Sequence, residues 1–244
     1  MQQNNTRKEL IDELAEVINR IDLPHPVRVG IDGAGNAGKT TLADELVEPL
    51  EKLGRTVIRA TIDGFHNSPD VRRRQGRYSP QGYLEDSYNY NALKRYLLDP
   101  LGPNGDLKYR ESVYNFKINK PTNVTIRTAT QNSILIFEGI FLFNQHLFTY
   151  WDYKLYIYAS FENTLQRALI RDNDLFGGEE NVIKLYKKRY IPGQEMYLTK
   201  HNPVGASDIV LNNNDYLNPT VMKISDHPQH NSLFHIRNCL KNNA

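Results

Sequence analysis

The sequence predicts an α/β fold in three layers, with helices on both faces of a mostly parallel sheet. Three observations predict it. Short runs rich in β-branched residues alternate with amphipathic stretches at helical spacing. The segment Gly33-Ala34-Gly35-Asn36-Ala37-Gly38-Lys39-Thr40 matches the P-loop pattern G-x-x-x-x-G-K-[ST] at every fixed position. That segment lies between a run that reads as a strand and a run that reads as a helix, the context the pattern needs. The expected class is therefore a P-loop NTPase. A length of 244 residues suits one such domain, with room for a lid or an insertion.

The elements follow in chain order. Residues 6–21 read as a helix, because Leu10, Leu14, Val17, Ile18 and Ile21 share one face. Pro24 and Pro26 end it. Val27, Val29 and Ile31 predict a strand into the glycine-rich loop, and Leu42, Leu46, Val47, Leu50 and Leu53 mark a helix after it, stopped by Gly54. Residues 56–62 form a second β-branched run. From 63 to 121 the pattern is irregular and crowded with arginine, tyrosine and asparagine, with 91–98 its one clear helical segment. Strands are expected at 133–137, 154–158 and 209–211, and helices at 161–171, 182–190 and 233–240.

Composition narrows the function. A formal charge of +2 gives no argument for nucleic acid or a membrane surface as partner. No apolar run approaches the ~20 residues that span a bilayer. The polar start Met1-Gln2-Gln3-Asn4-Asn5 does not read as a signal peptide. Cys239 is the single cysteine and cannot form an internal disulfide, so a cytoplasmic location is the expectation. His227, His230 and His235 are irregularly spaced without a supporting cysteine or acid cluster, so no metal site is expected there.

The loop itself predicts nucleoside triphosphate binding. Its glycines let backbone N–H groups turn toward phosphate, and the following helix adds a positive N-terminus. Lys39 is expected on the β- and γ-phosphates, the Thr40 hydroxyl on Mg²⁺ and Thr41 near the α-phosphate. Two acids stand at strand ends, where open α/β sheets bind ligands. Asp63 follows the second strand; it either orients an acceptor hydroxyl and takes its proton, or caps the turn that Gly64 begins. Glu138 ends the apolar run Ile134-Leu135-Ile136-Phe137, as the acid of a Walker B strand does, and is a candidate for holding Mg²⁺.

Several further segments complete a family pattern: Ile62-Asp63-Gly64-Phe65-His66, Tyr78-Ser79-Pro80-Gln81-Gly82-Tyr83, Asp86-Ser87-Tyr88-Asn89-Tyr90, Phe137-Glu138-Gly139-Ile140 and Ala206-Ser207-Asp208-Ile209-Val210. With the P-loop, in this order, the chain resembles the uridine kinase family within the group that holds phosphoribulokinase and bacterial pantothenate kinase. The resemblance runs from about 27 to 213. It implies an ATP- and Mg²⁺-dependent kinase of a small-molecule hydroxyl, first of all the 5′-hydroxyl of uridine or cytidine, and it suggests a homo-oligomer. It implies a substrate-side insertion at about 64–121 and a helical lid at about 171–190.

The resemblance also assigns residues. Asp63 matches the catalytic base and Glu138 the second acid near Mg²⁺. Tyr114 and Phe116 match aromatics that enclose the base, suited to stacking on a flat heterocycle. His66 stands where the family often has tyrosine near the substrate. Arg171 matches the start of the lid, and Arg167 lies one helical turn earlier, so the pair can clamp a transferring phosphoryl group. Asn119 stands where a histidine often reads the base, Gln194 matches a substrate-contacting glutamine, and Asp86, ahead of Glu85, is the candidate for the ribose. Beyond the family pattern, Arg72, Arg73, Arg74 and Arg77 suggest either a basic loop or a preference for an anionic acceptor. A kinase of pantothenate or another metabolite, a nucleotide-switch NTPase and a nucleic-acid-binding P-loop protein are the alternatives. Asn119-Lys120-Pro121-Thr122 lacks the aspartate with which switches read guanine, and the near-neutral charge disfavours the last.

Overall fold

The computed structural model describes residues 3–226 and residue 230. A six-stranded sheet lies at its centre: β1 (Val27–Gly33), β2 (Thr56–Thr61), β3 (Ser133–Glu138), β4 (Tyr153–Tyr158), β5 (Ile209–Asn212) and β6 (Thr220–Ile224). The spatial order is β6-β5-β4-β1-β3-β2. Every neighbouring pair is parallel except β6 with β5. The antiparallel β6 was not among the expected strands.

The inner strands β1 and β3 are buried along their whole length, as strands covered on both faces must be. Alternation divides their side chains between two cores. Ile134 and Ile136 pack with Val29, Ile31, Leu42 and Leu14 on one face. Leu135 and Phe137 pack with Ile58, Phe143, Trp151 and Tyr197 on the other. Register sets the functional edge: Ile31 of β1 and Thr61 of β2 both pair with Glu138 of β3. The segments that follow β1, β2 and β3 therefore leave the sheet at one level.

The helices follow the expected periodicity with physical exceptions. α1 is Gln3–Asn19. The helix expected after the loop is divided into α2 (Lys39–Glu45) and α3 (Val47–Lys52). Pro49 has no N–H to offer the Glu45 carbonyl four residues back, which accounts for the break. α4 (Pro80–Asp86) was not expected, yet its start is well marked: the Ser79 hydroxyl accepts from Gly82 N–H at 2.9 Å, and Pro80 sits in the first turn. α5 (Phe161–Arg171) has the expected bounds, with Ser160 as its cap. The helix expected at 182–190 begins as α6 (Glu179–Leu185), widens to a π turn at Tyr186–Tyr190 and continues as α7 (Ile191–His201). The widening directly precedes Pro192, which cannot donate to the carbonyl four residues earlier.

Between β2 and β3 the chain forms short helical turns and two small hairpins, one of which pairs Tyr114–Asn115 with Lys120–Pro121. The helix expected at 233–240, together with Cys239, His227 and His235, lies outside the described residues. His230 is buried and bonded to the Tyr153 hydroxyl and the Ser225 carbonyl. Among the described residues, no helix is long and apolar enough to cross a membrane, and no group of three or more His, Cys, Asp or Glu residues could hold a metal ion alone.

Candidate active site

The phosphate loop is built by close approach. Gly33 has the Ile157 carbonyl oxygen 2.4 Å from where a Cβ would stand. Gly38 adopts φ 103°, and a Cβ there would lie 2.3 Å from Asn213 Nδ2. Asn213 Nδ2 instead donates to the Ala37 carbonyl at 2.7 Å. Arg167 braces the same region, donating to the Asn213 carbonyl at 2.6 Å, Asn214 at 3.0 Å and Asn36 at 3.2 Å. These contacts fix the loop backbone between β1 and the segment that follows β5.

Lys39 is buried at the start of α2, and its ammonium donates to the Ala34 carbonyl at 2.7 Å. Burial pushes this group down from the ordinary lysine range, while the charges of Glu138, Asp32 and Asp63 work against that. Glu138 is buried at the end of β3, with an Arg59 guanidinium nitrogen 3.8 Å away. Arg59 also donates to Asp44 at 2.9 Å.

Asp63 lies in the 3-10 turn Ile62–Phe65 that ends β2, with its side chain 47% exposed to the cleft. Burial works to raise its carboxyl, but the hydrogen bond and charge of His66, with Lys39 and Arg171, outweigh this and hold it below the ordinary value. His66 Nε2 is 3.3 Å from Asp63 Oδ1, and its Nδ1 is 3.1 Å from the Ser87 carbonyl. The imidazole stacks on Tyr88 at 4.6 Å and meets Phe116 at 5.1 Å.

These groups face one cleft. Ala34, Gly35, Asn36, Lys39 and Thr40 line one end, with Glu138 and Arg171. Asp63 and His66 line it next, followed by Tyr83, Tyr88, Phe116, Tyr190 and Gln194, while Tyr186 lines it beside the loop. The Gln194 amide nitrogen is buried without a hydrogen-bond partner. Arg171 and Asp172 pair by two contacts of 2.7 and 3.3 Å. Asn36 Nδ2 donates to Asp172 at 3.0 Å and to the Tyr186 hydroxyl at 2.7 Å, which ties the loop tip to the helices beyond α5.

Four sequence-predicted substrate residues stand elsewhere. Asp86 is 1% exposed and does not line the cleft; its carboxylate accepts from Arg74 and from Gln75 Nε2. Asn119 is the left-handed residue of a hairpin turn, exposed and bonded to Arg72. Tyr114 is outside the cleft lining, with its hydroxyl buried and unpartnered. Arg167 lies on the outer side of the loop, in a groove shared with Thr41, Tyr216 and Leu217. Sequence reading also missed Asn36 as the tie from the loop to Asp172 and Tyr186, and most of the aromatic wall; the richness in tyrosine between 63 and 121 was the one available signal.

The model of the phosphoribulokinase/uridine kinase family matches residues 28–202. The chain belongs to this family. It is a phosphotransferase, and the family implies ATP use. A uridine-cytidine kinase B from Dictyostelium discoideum is 27% identical over 195 residues, covering 76% of this chain and 78% of its own length. Among solved structures, one described as a possible uridine kinase from Bacillus stearothermophilus is similar with a TM-score of 0.65 at 20% identity, over 84% of this chain and 98% of its own. A D-glycerate 3-kinase from Cryptococcus neoformans var. grubii is similar with a TM-score of 0.56 at 14% identity, over 90% and 98%. At these identities the solved structures show the fold, which matches the three-layer α/β/α expectation.

The family member's arginine cluster can be tested for what it holds. Arg74→Ala leaves the buried Asp86 carboxylate with Gln75 as its remaining side-chain partner. Because the Arg74 side chain is 64% exposed, water compensates in part, and a modest fall in the urea midpoint is expected. Neither residue lines the cleft, so the acceptor KM should stay within about twofold.

Proposed function

We propose that this kinase transfers the γ-phosphoryl group of ATP to the 5′-hydroxyl of a pyrimidine nucleoside, uridine or cytidine. The observation that carries this reading is the make-up of the acceptor half of the cleft. Rings of Tyr83, Tyr88, Phe116 and Tyr190 wall it, and the lysine and arginine of the cleft lining, Lys39 and Arg171, stand at the phosphate end. A flat neutral heterocycle is complemented by rings and by the buried amide of Gln194, which lies beside the Tyr83 hydroxyl. A sugar phosphate or a hydroxy acid would need a facing cation, and Arg72, Arg73, Arg74 and Arg77 lie outside the lining.

The roles follow from position. Loop amides and Lys39 hold the triphosphate, with the nucleotide base in the groove of Thr41, Arg167, Tyr216 and Leu217. Thr40 and Glu138 fit Mg²⁺, which is commonly held by one or two protein oxygens together with substrate phosphates. When bound, the ion supplies neutralisation of the β- and γ-oxygens. Asp63 aligns the acceptor hydroxyl on the γ-phosphorus and receives its proton. The new P–O bond forms to the acceptor as the bond to the β-phosphate oxygen breaks, releasing ADP. The transition state is loose and asks little basicity, so a carboxylate held ionised by its neighbours suits the task. Arg171, exchanging Asp172 for the transferring group, stabilises the spreading charge. The helices from 171 to 190 close the cleft against water. A cytoplasmic location accords with this chemistry.

A coupled ADP-release assay tests the reading across uridine, cytidine, purine nucleosides, pantothenate, glycerate and sugar phosphates. Pyrimidine nucleosides should exceed the anionic acceptors in kcat/KM by at least about 10²-fold. A preference for any anionic acceptor would overturn the proposal.

A further inference from the structure

Asp32 is the last side chain of β1 before the phosphate loop, and the transfer described above makes no use of it. Its carboxylate has no solvent exposure, and its hydrogen-bond partners are all neutral. Oδ1 accepts from the Gly33 N–H at 2.6 Å. Oδ2 accepts from the Tyr197 hydroxyl and from the Phe143 N–H at 3.1 Å. The Phe143 N–H also lies 2.8 Å from the Tyr197 oxygen, so the three groups form one closed cluster.

Each donor belongs to a different wall of the site. Gly33 opens the phosphate loop. Phe143 follows the segment Gly139-Ile140-Phe141 that leaves β3 after Glu138, where Phe141 is held at φ 62°, an unfavourable conformation for an aromatic residue. Tyr197 lies in α7, three residues after Gln194 and therefore on the same side of that helix. Ile191 and Gln194 of α7 line the acceptor half.

Stability does not account for an acid here. Burial raises the Asp32 carboxyl from 3.8 to about 6, with the three hydrogen bonds and Lys39 opposing. A carboxyl raised in the folded state binds its proton more tightly there than in the unfolded chain. Its ionisation therefore lowers stability as pH rises through that window, and at neutral pH the charge works against folding. What it provides instead is a single acceptor on which donors from three walls converge.

We propose that Asp32 and Tyr197 are positioning residues: together they set the acceptor-binding helix α7 at a fixed place relative to the phosphate loop. Tyr197→Phe removes the hydroxyl and keeps the ring, so packing is retained while the link to α7 is cut. Asp32→Asn puts an amide N–H₂ against at least one of the three donors, which disturbs the loop as well.

The test compares wild type, Tyr197→Phe, Asp32→Asn and the double variant. Tyr197→Phe should raise the acceptor KM about tenfold and leave the ATP KM within about twofold. Asp32→Asn should raise both, and the double variant should match Asp32→Asn, because the two changes break one link. Amide hydrogen exchange over 191–201 should be faster in each variant, with exchange over 27–31 unchanged. An acceptor KM unmoved by Tyr197→Phe, or a fall in kcat with both KM values fixed, would overturn the link, since either describes a structural role only. The kinetic arm rests on the nucleoside reading. If wild type phosphorylates no nucleoside, that reading fails by itself and exchange over 191–201 decides: faster exchange supports the link and unchanged exchange refutes it.

Discussion

Asp63→Asn should lower kcat by about 10²- to 10⁴-fold, with the affinity for ATP staying within about threefold. The substitution keeps the shape of the side chain and removes its capacity to accept a proton. The binding site for the triphosphate is left intact, because Asp63 follows β2 while the phosphate loop follows β1. Loss of the charge also takes from His66 the carboxylate 3.3 Å from its Nε2. Because the neighbours hold the Asp63 carboxyl below 3.8, the charged form contributes stability above that pH and loses it as pH falls. A small drop in Tm at neutral pH is therefore expected beside the large drop in kcat, and the two should not be confused. Asp63 should place its acid limb in the wild-type pH–rate profile lower than an ordinary carboxylate would. Isothermal titration with an ATP analogue and steady-state kinetics on one preparation check the split. A variant with near-normal turnover would remove Asp63 from the chemistry.

What could be read from the sequence was what is encoded locally. The strand, loop and helix around Lys39 carry their own periodicity and their own motif. The strand-end positions of Asp63 and Glu138 were legible because β-branched and apolar runs announce where strands end. Helix α7 was missed because Pro192 reads as a breaker, and only the π turn before it lets the helix continue. Asp86 and Asn119 were drawn to the substrate by pattern, but their side chains are engaged by Gln75, Arg74 and Arg72, contacts that no spacing rule announces. Apart from Phe116, which the resemblance assigned, the aromatic wall was illegible for a similar reason: Tyr83 and Tyr190 come from distant segments and meet only in the folded chain. Asp32 is the extreme case, since its meaning depends on Tyr197, 165 residues away.

Lys39→Met should reduce kcat/KM for ATP by at least about 10³-fold while leaving Tm unchanged or higher. The two halves of this expectation have one origin. The ammonium sits in a buried pocket against the Ala34 carbonyl, with Glu138, Asp32 and Asp63 as the carboxylates near enough to act on it. Burial still wins, and the group is pushed down. A lysine whose proton is held less tightly in the folded state than in the unfolded chain loses folding free energy by being charged at neutral pH. Methionine has nearly the same length and no charge to bury, so folding is relieved of that cost. The triphosphate, however, arrives with concentrated negative charge, and Lys39 is the one lysine lining the phosphate end of the cleft. Arginine should not restore activity, because a planar guanidinium is larger than the ammonium it would replace and cannot enter the same pocket as a point charge. Thermal unfolding and ATP kinetics on Lys39→Met and Lys39→Arg separate the cases. A methionine variant that unfolds at a much lower temperature would show that the lysine holds the loop together, and that its place beneath the phosphates is a matter of structure before chemistry.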